Sequence, residues 1–298
     1  MKNIYIHQHS RLGDMILCNG LIRILAKKYT RFNLNIFCRS KHIKLIKFMY
    51  RDNKRIKLIP LDEDSQLTDE KLLMKYEAKF IENFLKKNEI KEKLISIGFN
   101  DYNRIKNLNS DKKNPWPCDI IFYKQFNIPF KKRFSESYWK RDIISEKKLL
   151  RKLIRKKQKY IFVHDDPKRN FYLKNLHINK NTKIIKNDIK ENIFNYGLIL
   201  ENADEIHIME SSIRQIIKEL NIKTKKIFLY KGRGGEHDID LYNSKLKKYV
   251  GTSKKWKIIK NGIVTKKNKS IFGTIKNKIY KSRQKLIYYK SIKRLTLN

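Results

Sequence analysis

Glycine and proline are scarce in this chain, ten and five among 298 residues, which excludes collagen-like and low-complexity architectures. Cysteine is scarcer still. Cys18, Cys38 and Cys118 stand apart with no CxxC spacing, so neither a disulfide framework nor a zinc site is signalled. Cys18 and Cys38 read as small buried residues in a reducing compartment. No apolar run is long enough for a signal peptide or a spanning helix, and a strand-like run follows Met1 directly; a cytoplasmic placement is expected. Acidic residues are the last shortage. There are 29 Asp and Glu against 71 Lys and Arg, a net charge of +42, and after Asp240 no acid appears among 58 residues that hold 18 Lys and Arg.

What is present suffices for a folded enzyme. Hydrophobic residues make up 40% and aromatics 11%, enough to bury a core despite the charge. The positive field favours anionic partners such as nucleotides, phosphorylated sugars, acidic lipid or nucleic acid. Nucleic acid is the disfavoured member of that set, because the basic residues are spread everywhere and no recognisable nucleic-acid motif accompanies them.

Periodicity predicts an α/β fold. Strand-like runs at 2–7, 34–38, 55–61 and 93–99 alternate with helical patterns at 15–28, 43–50 and from 68 onward. The alternation restarts with strands at 160–164, 182–186, 205–209 and 226–230, and with helices at 192–201 and 211–220. Strands separated by helix-length segments mean parallel βαβ units and a sheet covered on both faces. Two Rossmann-like halves are therefore expected, residues 1–140 and 158–252, joined by a very basic helical connector. A basic amphipathic tail follows at 253–298. In it Ile271, Ile275, Ile279, Leu286, Tyr289 and Ile292 are expected on one helical face. Such a helix either lies in an anionic membrane interface or packs back on the first half.

Four stretches carry candidate chemistry. HQHSRLGDMILCNGLIRIL (7–25) leaves the first strand and opens the first helix, where open α/β sheets bind ligands. It is neither a GxGxxG fingerprint nor a P-loop. Gly13 permits a tight turn, and Ser10, Arg11 and Asp14 sit at the positive end of the helix. Asp14 has two compatible readings: a first-turn carboxylate that stabilises the helix, and a general base for an acceptor hydroxyl. Ser211 and Ser212 open a second-half helix, either as plain caps or as phosphate ligands. In YIFVHDDPKRNF (160–171) adjacent acids on a strand point to opposite faces, so no metal site is expected. Lys168 and Arg169 suit a diphosphate leaving group, or else form a solvated loop. YKGRGGEHDIDLY (230–242) is glycine-rich, and Lys231, Arg233 and His237 there either clasp a donor or belong to an ordinary surface loop.

RLGDMILCNGLIRIL resembles the amino-terminal signature of the heptosyltransferase-like enzymes, glycosyltransferase family nine. Arg11, Leu12, Gly13 and Asp14 fill its Arg-x-Gly-Asp turn. Asn19-Gly20 stands where that family often has Pro. The segment 198–220 is similar to the family's second-half strand–turn–helix, with Ser211 and Ser212 in the turn, Ser212 or Ile213 in place of its Gly, and Arg214 or Gln215 near its His position. The resemblance implies a GT-B fold, with two Rossmann-like halves facing across a cleft, and assigns Asp14 as general base. It further implies inverting sugar transfer from a nucleotide-sugar co-substrate to a surface glycan or glycolipid, without metal or other cofactor; the basic tail is what would bring the chain to the inner face of the membrane. The competing readings are a non-enzymatic basic protein that binds nucleic acid or an anionic membrane, and a different nucleotide-dependent enzyme such as a sugar epimerase.

Overall fold

The computed structural model of the chain describes residues 1–62, 67–98, 118–155, 158–167, 170–174, 176, 182–230, 256–259, 262–265 and 273–297. The first half runs β1 (Lys2–His7), α1 (Leu12–Leu17), α2 (Asn19–Lys28), β2 (Phe32–Arg39), α3 (Ile43–Tyr50), β3 (Ile56–Leu61), α4 (Glu70–Lys87) and β4 (Leu94–Ser96). Its four strands are parallel in the order β3-β2-β1-β4. Helix α5 (Cys118–Lys124) and the short α6 (Lys132–Glu136) follow, and the connector is α7 (Ile143–Leu153).

The second half contains β5 (Tyr160–Val163), β6 (Phe171–Leu173) and β7 (Lys183–Lys186). A 3-10 turn, Ile193–Tyr196, then runs into α8 (Gly197–Asn202), followed by β8 (Glu205–Met209), α9 (Ser212–Glu219), β9 (Ile227–Tyr230), β10 (Trp256–Ile259) and β11 (Ile263–Thr265). Five of these strands form a parallel sheet in the order β10-β9-β8-β5-β7, and β6 pairs antiparallel with β11. The two parallel sheets are those the alternating pattern predicts. Central strands β1 and β8 are buried along nearly their whole length, as parallel strands covered on both faces must be. Among the described residues no helix is long and apolar enough to cross a membrane.

One apolar core runs through both halves. At the connector, Phe194 stacks on Phe48 with ring centroids 5.4 Å apart and meets Trp139 at 5.2 Å. Arg141 binds Glu201 through Nη1 at 2.8 and 2.9 Å, and Glu146 through Nε at 2.8 Å. Those two carboxylates hold its guanidinium charged, its pKa raised by these bonds against the opposing effect of burial. Glu146 also accepts from the backbone N–H of Leu198 at 2.9 Å. The connector is thereby fastened to the second half.

Several boundaries differ from the sequence pattern. The helix expected over 15–28 is broken at Cys18 into α1 and α2. The Tyr123 hydroxyl lies in the break, accepting from Leu21 N–H at 2.9 Å and donating to the Leu17 carbonyl at 3.3 Å. It replaces the direct bond that a continuous ladder would make between those groups, a recognised way to kink a helix. Gly20 lies at the same contact, since a Cβ there would stand 2.8 Å from the Arg133 carbonyl and 2.9 Å from Tyr123 Oη. Trp256–Ile259, within the stretch read as tail, is a strand paired with β9.

Helix α10 (Gly273–Leu297) packs along α4, where Ile287, Tyr288, Ile292 and Leu295 meet Leu67, Leu72, Leu73 and Tyr76. Gln284 Oε1 caps the start of α4, accepting from Thr68 N–H at 2.7 Å and Asp69 N–H at 2.9 Å. Of the expected face, Ile292 packs against α4, Leu286 and Tyr289 do not, Ile271 lies outside the described residues, and the Ile275 and Ile279 side chains are not described. Leu286 and Tyr289 point to solvent, while polar Gln284 and Ser291 are buried. A count of apolar residues misses this, because these two polar side chains bond to backbone: Ser291 Oγ to the Ile287 carbonyl and Gln284 across to α4.

Replacing Tyr123 by Phe keeps the ring and removes the hydroxyl, leaving the Leu17 and Leu21 backbone groups without their bridge. The loss expected is about 1–3 kcal/mol of stability, read as a lower denaturant midpoint at unchanged slope.

Candidate functional site

In the first half the chain turns opposite ways from the middle of the sheet: β2 and β3 lie on one side of β1, and β4 on the other. A crevice opens at the carboxyl ends of strands where such an order reverses. The residues placed there are Gln8, His9 and Ser10 after β1, and Ile97 and Gly98 after β4. Gly98 has φ +74°, and a Cβ on it would lie 2.4 Å from the Phe122 ring. Its N–H donates to Gln125 Oε1 at 2.8 Å, while Gln125 Nε2 donates to the Ser96 carbonyl at 3.0 Å. Phe122 presents its ring edge-on to His9, with centroids 5.1 Å apart, and His9 Nδ1 stands 3.6 Å from Asp14 Oδ2. Asp14, in the first turn of α1, is about a quarter exposed.

The neighbours of Asp14 divide by role. Ser10 is turned inward, its hydroxyl donating to Glu77 Oε2 at 2.9 Å, and Arg39 Nε donates to Glu77 Oε1 at 2.5 Å. All three are buried, so Ser10 anchors the turn to α4. Arg11 occupies the cap position of α1, and its carbonyl accepts from Met15 N–H at 3.0 Å. Gln8 is fully buried, and among the described residues neither of its amide atoms has a hydrogen-bond partner; buried His7 Nε2 has none there either. A buried amide without a partner is destabilising until a hydroxylated ligand or water meets it.

The second sheet reverses its order between β5 and β8. His164 follows β5 and binds Asn187 Oδ1 through Nδ1 at 2.6 Å. Asp165 is engaged in the fold: it accepts from Leu173 N–H at 2.9 Å and from Lys186 Nζ at 2.5 Å. Asp166 pairs backbone-to-backbone with Phe171 in both directions at 3.0 Å. Among the described residues no group of three or more His, Cys, Asp or Glu is arranged to hold a metal ion. Ser211 follows β8 and occupies the cap position of α9, yet its side chain makes no cap bond, and among the described residues its buried Oγ has no partner. Glu210 pairs with Arg214 on the first turn.

The two switch points meet. A Cβ on Gly13 would come within 3.8 Å of Ser212 Cα and 3.9 Å of Ser212 N, so the turn bearing Asp14 rests against the start of α9. Buried Arg133 fastens this contact: Nη2 donates to Gln215 Oε1 at 2.6 Å, and Nε stands 3.7 Å from Glu219 Oε1. Of the sequence candidates, Asp14, Gly13, Ser211 and Ser212 are thus brought together and Ser10 and Arg11 flank them. Lys168, Arg169, Lys231, Arg233 and His237 lie outside the described residues. The sequence reading passed over Gln8 and His9, although two imidazoles around an amide at a strand end was an available signal. Nothing local pointed to Glu77, Gln125 or Arg133.

No protein-family model matches the chain, and no curated protein matches it in sequence. Among solved structures it is similar to a glycosyl transferase family 9 protein from Veillonella parvula DSM 2008, with 9% identity, 99% of this chain and 97% of that chain covered, and a TM-score of 0.50. It also matches E. coli ADP-heptose lps heptosyltransferase II at 8% identity, over 87% of this chain and 90% of that one, with a TM-score of 0.44. The first likeness is one of fold, end to end. Its family name is the one that the residues around Asp14 resemble.

Burial, with a smaller contribution from His9, lowers the His7 pKa from 6.5 to about 4. The unfolded chain therefore takes up this proton first as pH falls. The contribution is fully present above about 6.5 and is lost between there and 4, about 3 kcal/mol at the limit. Chemical denaturation at stepped pH should show that His7→Gln flattens the acid-side decline relative to the parent chain.

Proposed function

We propose that the chain is an inverting, metal-independent glycosyltransferase. It moves a sugar from a nucleotide-sugar donor to a surface glycan or glycolipid. The observation that carries this reading is the meeting of the Gly13-Asp14 turn with the Ser211-Ser212 helix start, each at the switch point of its own sheet. The end-to-end likeness of fold to a family 9 glycosyl transferase supports it.

In this reading the acceptor hydroxyl lies over the end of β1, and Asp14 takes its proton as the oxygen attacks the anomeric carbon. His9, 3.6 Å away, holds a partial positive edge near the carboxylate. The departing nucleoside diphosphate leaves on the opposite side of the sugar, toward α9. There the helix N-terminus and the unpartnered Ser211 hydroxyl stabilise the growing negative charge. Lys168 and Arg169 are assigned to the departing phosphates, and Lys231, Arg233 and His237 to the donor, from the sequence alone. Gln8, neutral and unpartnered, is suited to a sugar hydroxyl rather than to an anion. Fixed charges and amide dipoles of this kind lower the barrier without reorganisation at the moment of transfer.

Nucleoside diphosphates and nucleotide sugars are expected to raise the melting temperature in EDTA, by an amount equivalent to about 2.7 kcal/mol at a hundred times Kd. If no nucleotide stabilises the protein, the transferase reading falls. Asp14→Asn should keep that thermal shift and lower turnover by about 10²–10⁴-fold. Ser211→Ala discriminates further. Losing a working helix cap would cost the free protein about 1 kcal/mol, whereas this hydroxyl bonds nothing among the described residues. The variant should melt with the parent and lose part of the nucleotide-induced shift.

A further inference from the structure

We propose that the outward face of α10 is a docking surface for an anionic lipid bilayer. The packed face of this helix meets α4 and the turn before it through Ile287 and Gln284, with Ser291 buried on the same side. The opposite face carries Leu286 at 56% exposure and Tyr289 at 66%, one helical turn apart. Around them stand Lys281, Arg283, Lys285 and Lys290, all exposed. Among the described residues no carboxylate pairs with these four, and no acid occurs in the sequence after Asp240.

The occupant follows from the combination of the two chemistries. Four exposed cations on one short stretch attract any polyanion, nucleic acid included. An exposed Leu beside an exposed Tyr gains nothing from a phosphate backbone. At a bilayer surface both do gain: the leucine enters the acyl boundary, the tyrosine ring sits at headgroup level, and the lysine stems extend to lipid phosphates. A second copy of this chain is a poor alternative, because it would oppose like charges.

Placement strengthens the argument. α4 is shared between the two tasks: Tyr76 packs toward α10, and the adjacent Glu77 holds Ser10 beside the end of β1. The docking helix is thus one helix removed from the turn assigned to the acceptor. A lipid-borne acceptor would arrive at the surface that α10 rests on. The inference does not require the transferase reading, because it is tested without donor or acceptor.

The experiment is flotation of the full chain with vesicles of phosphatidylcholine alone or with one third phosphatidylglycerol. Two variants are compared, Leu286→Ser with Tyr289→Ser, and Lys285→Gln with Lys290→Gln. All four positions are exposed, so melting temperatures should match the parent. The expected result is binding to the anionic vesicles only, weakened at least about tenfold in both variants, while affinity for a single-stranded RNA falls only in the lysine variant. Parent-like vesicle binding by the Leu286/Tyr289 variant overturns the proposal and leaves a nonspecific cationic surface. Absence of binding to anionic vesicles by the parent overturns it as well. Nucleotide-induced stabilisation should be the same in parent and variants, so a failure of donor binding is read separately.

Discussion

A single guanidinium holds the two switch points in register. Arg133 is wholly buried, on a short helix of the first half, and reaches Gln215 and Glu219 on α9 of the second. A charge in that position is tolerated only with its partner present; removing one member of a buried pair typically costs about 3–5 kcal/mol. The same rule recurs through the molecule. Carboxylates are scarce here, and arginine takes most of the buried ones: Glu77 by Arg39, Glu146 and Glu201 by Arg141, while Asp165 is held by Lys186. Most of the excess lysine among the described residues is left outside, Lys218 being buried. A composition that looks like indiscriminate positive charge is therefore sorted by depth, with planar bidentate cations inside and flexible ones at the surface.

The depth of sorting explains what the sequence disclosed. Strand β1 and helix α3 were legible to the residue because their apolar positions repeat over a short window and their neighbours are polar. Asp14 and Ser211 were legible as places, since a strand end followed by a helix start is a local pattern. What those residues touch was not. Ser10 reaches Glu77 across 67 positions, and Leu21 reaches Tyr123 across 102; neither pairing leaves a mark on local periodicity. Strand β10 was missed for another reason. It has four residues, at the edge of its sheet, and lies in a basic stretch whose lysines dominate the pattern.

α10 shows how an amphipathic reading goes astray. Isoleucine, leucine and tyrosine occur all round this helix, so apolar content alone does not select a face. The selection is made by two polar side chains, Gln284 and Ser291, whose bonds allow burial. Burying those bonded groups orients the helix, and the remaining apolar residues are exposed as a consequence rather than as an accident of composition. α4 in turn becomes a beam with two working sides, one toward the sheet and one toward α10.

The hydroxyl of Tyr123 in the break between α1 and α2 bears on the order of assembly. The first strand and helix form the part of the chain most easily identified, yet that unit cannot complete its own backbone pairing. Leu17 and Leu21 wait for a residue about a hundred positions later. On a ribosome, the opening βα unit would emerge long before its missing bond could form, and would remain a frayed helix pair during that interval. Non-local closures of this kind slow folding and extend the time that apolar surface stays open to other chains. The helix pair that carries Asp14 is thus made about a hundred residues before the side chain that sets it in place.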